Sequence, residues 1–124
     1  MYTLPKSKRL CSRDRIGQLF GEGSKGSSAT VLARALANPD GETHVAVVAG
    51  KKLGNAVLRN RLKRRLRAAC RQQSDGLPAG LDLVLVAKKG LAEATWLNVM
   101  RDVARAVEQA AREASGPPRP KPDR

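Results

Sequence analysis

Residues 51–71 read KKLGNAVLRNRLKRRLRAACR, a run with nine Lys or Arg and no acid. At 100° per residue this stretch separates into two helical faces. Leu58, Leu62, Leu66, Ala69 and Cys70 gather on one side. Asn60, Lys63, Arg64, Arg67 and Arg71 gather opposite, with Arg61 beside them and Arg59 and Arg65 at the borders. Such a helix must bury its seam against another element. Its other face has no acid at i+4 to offset the repulsion between neighbouring cations. Most charge runs are solvated surface, but here folding bears that repulsion without structural return, which predicts a polyanionic partner.

The side chains narrow the partner further. The arginine fork binds phosphate oxygens in pairs, and several forks on one helix suit the repeating phosphates of a folded RNA. Asn60 carries both a donor and an acceptor, so it can read a base edge or a 2′-hydroxyl. In the preceding loop, Lys51 and Lys52 supply point charges, Gly54 permits close backbone approach, and Asn55 is placed to cap the helix, whose N-terminus is an anion site. The whole chain agrees: 24 Lys and Arg against 11 Asp and Glu leave a net charge of +13 over 124 residues. Nucleic acid is the first candidate and an anionic membrane the second. A lipid-surface helix wants a broad apolar face. The seam from Leu58 to Cys70 is narrow and lies between two strand-like segments, so it belongs inside a fold.

Around this segment the chain reads as alternating short elements. Ser12 can cap a helix whose Ile16, Leu19 and Phe20 share one face and which Gly21 and Gly23 end. A Gly/Ser-rich loop, 23–28, precedes a strand over 29–36. The turn Asn38-Pro39-Asp40-Gly41 then predicts a hairpin returning along 43–49. The basic helix runs from about Ala56 to Gln73, and turn residues fill 74–80. A strand covers 81–88 and a long helix about 92–114, with Leu97, Met100, Val103, Ala104, Val107, Ala110 and Ala111 as its apolar stripe. The order helix, strand, strand, helix, strand, helix predicts an α+β sandwich with helices on a mixed sheet. Aromatics are only 2% of the chain, so aliphatic residues must fill the core. One RNA-binding domain is expected over residues 1–115, with a disordered basic, Pro-rich tail at 116–124.

Protein-borne catalysis finds little support. His44 is the only histidine, the acids are scattered, Asp82 has no evident partner acid, and no metal-ligand cluster stands out. Trp96, opening the long helix, reads as a packing residue. Cys11 and Cys70 read as free thiols of a reducing compartment. The N-terminus MYTLPKSKRL lacks the apolar core of a signal peptide, and the 81–87 run is too short to span a bilayer. A soluble, cytoplasmic protein with no membrane contact is expected.

The stretch KKLGNAVLRNRLKR, Lys51 to Arg64, resembles the signature of bacterial ribonuclease P proteins, K-K-x-G-N-A-V-x-R-N-R-x-K-R, at every fixed position. A weaker similarity extends over about residues 6–113. The resemblance implies a fold of order α-β-β-(β)-α-β-α, ribosomal protein S5 domain 2-like, with a rare left-handed β-α-β crossover where general rules favour the right-handed one. It also implies a non-catalytic protein subunit of an endoribonuclease. In that enzyme the catalytic RNA, with its own Mg2+, removes the 5′ leader of precursor tRNA; the protein binds no cofactor and needs no obligate protein partner. Lys51, Lys52, Asn55, Arg59, Asn60, Arg61, Lys63, Arg64 and Arg67 match the motif that docks on the RNA. Phe20, which from the residues alone reads as core, matches a leader-cleft aromatic, and Ile16, Leu32 and Arg34 are the expected cleft neighbours. Ile16 and Arg34 stand where the family often has aromatics, so Arg34 is expected to stack on a base or pair with a leader phosphate. A structural RNA-binding protein of ribosomal type is the alternative, though it has no reason to carry this pattern.

Overall fold

Strand β4 (Leu81–Ala87) organises the molecule, because its residues 81–85 are all buried. A strand covered on both faces must sit inside a sheet. The computed structural model, which describes residues 13–38, 42–73 and 80–114, places it there. Among the described residues the order is α1 (Arg13–Glu22), β1 (Ser24–Ser27), β2 (Val31–Ala37), β3 (His44–Val48), α2 (Ala56–Gln72), β4 and α3 (Trp96–Ala114). The sheet order is β1-β2-β4-β3. Strands β1 and β2, and β2 and β4, pair antiparallel, whereas β3 lies parallel to β4. This is the expected α+β class with a mixed sheet.

The expected hairpin is corrected. Strands β2 and β3 are not neighbours, because β4 lies between them. β4 pairs with β2 along seven residues and with β3 along five, satisfying backbone groups on both edges of the most apolar segment in the chain. A turn signal reports where a chain reverses, not which strand fills the gap. Of that turn only Asn38 is described; residues 39–41, the 74–79 turn, Ser12, Cys11, the basic start and the tail lie outside the described residues.

A second correction is β1, read from the sequence as loop. Its one buried residue is Gly26, which faces α3. A Cβ there would stand 1.9 Å from Ala106 O and 2.7 Å from Ala110 N, so only glycine lets the strand lie against the helix backbone. Ser24 and Ser28 complete the contact, donating their hydroxyls to Ala110 O at 2.6 Å and Asp102 O at 2.8 Å.

Alternation along the strands splits the core in two. Val31, Ala33, Ala35, Val45, Leu81, Leu83 and Leu85 face α2 and α3 and form the main core with Leu62, Leu66, Ala69, Val99, Val103 and Val107. Among the described residues the opposite face is covered by α1, through buried Leu19 against Ala46 and Val84, with Ile16, Leu36 and Val48 around it. Helix α3 begins at Trp96 rather than Ala92, capped by Thr95, whose Oγ1 accepts from Asn98 N–H at 3.2 Å. Its stripe is rotated from the expected one: Val99 and Ala106 are inside, while Leu97 and Ala104 face solvent. Trp96 is 37% exposed rather than packed in the core.

Candidate nucleic-acid interface

The basic segment folds as its periodicity demands. Leu62, Leu66, Ala69 and Cys70 are buried and Leu58 is half-buried against the core. Burial pushes the Cys70 thiol up to about 12, which leaves it protonated and unreactive. On the outer face Asn60, Arg61, Arg64 and Arg71 are exposed, and Arg59, Lys63 and Arg67 are partly covered. Among the described residues, nothing accepts a hydrogen bond from the buried Arg59 Nε. Arg65 has a different task. Its guanidinium donates to Leu91 O, Ala92 O and Ala94 O at 2.7–3.1 Å, tying α2 to the loop before α3.

The loop entering α2 is equally determined. Lys51–Leu53 make one 3-10 turn, with both lysines exposed. Gly54 sits at φ 146°, where side chains are strained, and a Cβ there would also meet Leu58 Cδ2 at 2.6 Å. Asn55 caps the helix, its Oδ1 accepting from Leu58 N–H at 2.9 Å. This cap aims the first turn of α2, and with it the motif cations.

The second candidate surface is the sheet face that α1 leaves open. Leu32, Val86 and Val48 lie in one row across β2, β4 and β3, all half-buried. Ile16 and Leu19 cover the adjoining rows, and Phe20, next to Leu19 on α1, is 41% exposed. Phe20 is therefore not a core residue. Arg34 is on the expected face beside Leu32, but its Nε and Nη2 donate to the carbonyls of Leu19 and Phe20. The two surfaces adjoin through the chain, since Val48 on the cleft floor is followed within three residues by Lys51.

Sequence reasoning missed two features here. Arg15 Nε donates to Asp82 Oδ2 at 2.6 Å, and Asn38 Nδ2 donates to Oδ1 at 2.9 Å. Asp82 therefore ties α1 to the sheet. Lys25 pairs with Arg34 in register and shares its face, and Lys88 reaches Ser27 Oγ and Ser28 O at the same rim. Strand alternation gives the face of Lys25, but only once β1 is recognised as a strand. Among the described residues, no three His, Cys, Asp or Glu side chains gather to hold a metal, and no helix is long and apolar enough to cross a membrane.

Comparison with known proteins agrees with this geometry. The family model for Ribonuclease P matches residues 4–111. The ribonuclease P protein component of Brevibacillus brevis is 33% identical over 113 residues, covering 85% of this chain and 89% of that protein. That of Clavibacter michiganensis is 33% identical over 110 residues, covering 88% and 97%. The solved RNase P protein from Thermotoga maritima superposes with a TM-score of 0.74 at 25% identity, over 82% of this chain and 96% of that one. The Staphylococcus aureus RNase P protein gives 0.73 at 21%, over 83% and 94%. The likeness of fold is consistent with the expected S5-like crossover through β3, α2 and β4. The chain belongs to the bacterial ribonuclease P protein family.

Proposed function

We propose that this chain binds the catalytic RNA of ribonuclease P through the exposed face of α2 and its entry loop. In the same reading it holds the single-stranded 5′ leader of precursor tRNA in the cleft between α1 and the sheet. The observation that carries this is α2 itself: a buried apolar seam fixes the helix, and the cations left outside have no acid on their own element to answer them.

The residues divide the work. Lys51, Lys52, Arg59, Arg61, Lys63, Arg64 and Arg67 neutralise phosphates of the folded RNA, and Asn60 adds a contact to a base edge or 2′-hydroxyl. Asn55 acts through the helix start that it caps. In the cleft, Phe20 offers one stacking ring, and Ile16, Leu32, Val48 and Val86 an aliphatic floor. With a single ring among the described cleft residues, the leader is recognised more by its backbone than by its bases. Hydrolysis would belong to the RNA, with Mg2+ held there supplying Lewis-acid chemistry toward water and the phosphate oxygens. The protein's contribution is to bring leader and RNA together, in the cytoplasm, without a further protein partner.

Salt dependence tests the electrostatic part. Replacing Arg59, Arg61, Lys63, Arg64 or Arg67 singly by Ala is expected to weaken binding to the catalytic RNA. Each change should also reduce the slope of log K against log salt by about one per phosphate contact. Five unchanged slopes would refute the assignment.

A further inference from the structure

The last turn of α1 is held from the side by a residue of β2. Arg34 Nε donates to Leu19 O at 3.2 Å, and Nη2 donates to Phe20 O. These carbonyls lie in the final turn of a helix that ends at Glu22, where partners further along the helix run out. Leu19 O also accepts from Gly23 N–H at 2.9 Å. A planar cationic fork reaching two successive carbonyls restrains both position and rotation of the turn, and a cation at this end suits the helix dipole. At the other end of the helix, Arg15 bonds Asp82 and Ala37 O. The Phe20 ring, at 41% exposed, is not fixed by core packing. Its location depends on its own backbone, and its own carbonyl is one of the two that Arg34 holds.

We infer that Arg34 is a positioning residue, which fixes the last turn of α1 and thereby sets the Phe20 ring at the cleft rim, instead of contacting the leader itself. The inference rests on the leader-cleft reading above. It replaces the stacking or phosphate-pairing role that the sequence suggests for Arg34, because that guanidinium already serves the helix end.

Two measurements separate this proposal from its premise. Phe20 is the only phenylalanine in the chain, so fluorophenylalanine labelling of the intact protein gives a single fluorine resonance. Arg34→Ala and Arg34→Lys should both shift or broaden that line, because a single ammonium nitrogen does not reproduce the rigid spacing of Nε and Nη2 across the two carbonyls. In holoenzyme assembled with full-length protein, Arg34→Ala should reduce the preference for precursor over mature tRNA as far as Phe20→Ala does, roughly fivefold or more. The double variant should lose no more than Phe20→Ala alone, and the salt slope of precursor binding should not change. Arg34→Lys, which keeps the charge but not the planar fork, serves where the alanine variant fails to fold. Full recovery of the preference by lysine, with a slope lowered by about one in the alanine variant, would establish a direct phosphate contact and overturn the proposal. An unmoved fluorine line would overturn it as well. If Phe20→Ala leaves the preference untouched, the cleft reading itself fails, while the fluorine line still decides whether Arg34 positions the ring.

Discussion

Replacing Arg15 by Ala should destabilise the protein by more than an ordinary surface substitution. Arg15 and Asp82 meet at 2.6 Å, with side chains 23% and 8% exposed. Removing the arginine leaves a nearly buried carboxylate with Asn38 Nδ2 as a remaining donor. Breaking a fully buried pair from one side costs about 3–5 kcal/mol. The partial exposure of Arg15 lowers this to about 2–3 kcal/mol, since water already screens part of the interaction. For a chain of 124 residues that corresponds to roughly 8–12 °C in Tm. Asp82→Asn should cost less, about 1–2 kcal/mol, because it removes the buried charge and leaves a cation that can turn toward solvent. The double variant should then be more stable than Arg15→Ala alone. Urea denaturation of the three variants measures all of this. A loss under about 0.5 kcal/mol for Arg15→Ala, or a double variant less stable than that single, would refute the reasoning.

Two further substitutions probe the scaffold under the site. Gly26→Ala should cost about 2–3 kcal/mol or more in a urea melt, because the new methyl meets backbone atoms of α3, the nearest at 1.9 Å, which no rotamer change can clear. Asn55→Ala should cost about 1 kcal/mol through loss of the cap on Leu58 N–H. It should also speed amide exchange in the first turn of α2 and weaken RNA binding, whereas unaltered exchange there would mean that the cap does not hold the loop.

Helix α2 was legible because a 3.6-residue apolar period and an unbroken cationic face coincide in one segment. β4 was legible because a short aliphatic run between turn residues admits few other readings. The pairing of strands was not, since it depends on which segment is apolar enough to be central, a comparison made across the whole chain. β1 was hidden because its packing position is a glycine, whose value lies in the side chain it lacks. The α3 stripe was rotated because small residues such as Ala104 and Ala106 look alike until a neighbouring backbone selects one. In the candidate site the exposed cations followed from composition. The partners of Arg15, Arg34 and Arg65 are carbonyls or an acid far along the chain, and a sequence does not label which arginine turns inward.

Reconstitution tests the central claim most directly. The protein is mixed with a bacterial ribonuclease P RNA, and cleavage of precursor tRNA is followed at a magnesium concentration too low for the RNA alone. The account predicts that the protein by itself cleaves nothing, that RNA and protein together release the 5′ leader, and that a variant with Arg61, Lys63 and Arg64 all replaced by Ala fails to support the reaction. Cleavage by the protein alone, or equal support from that triple variant while it remains folded, would contradict it.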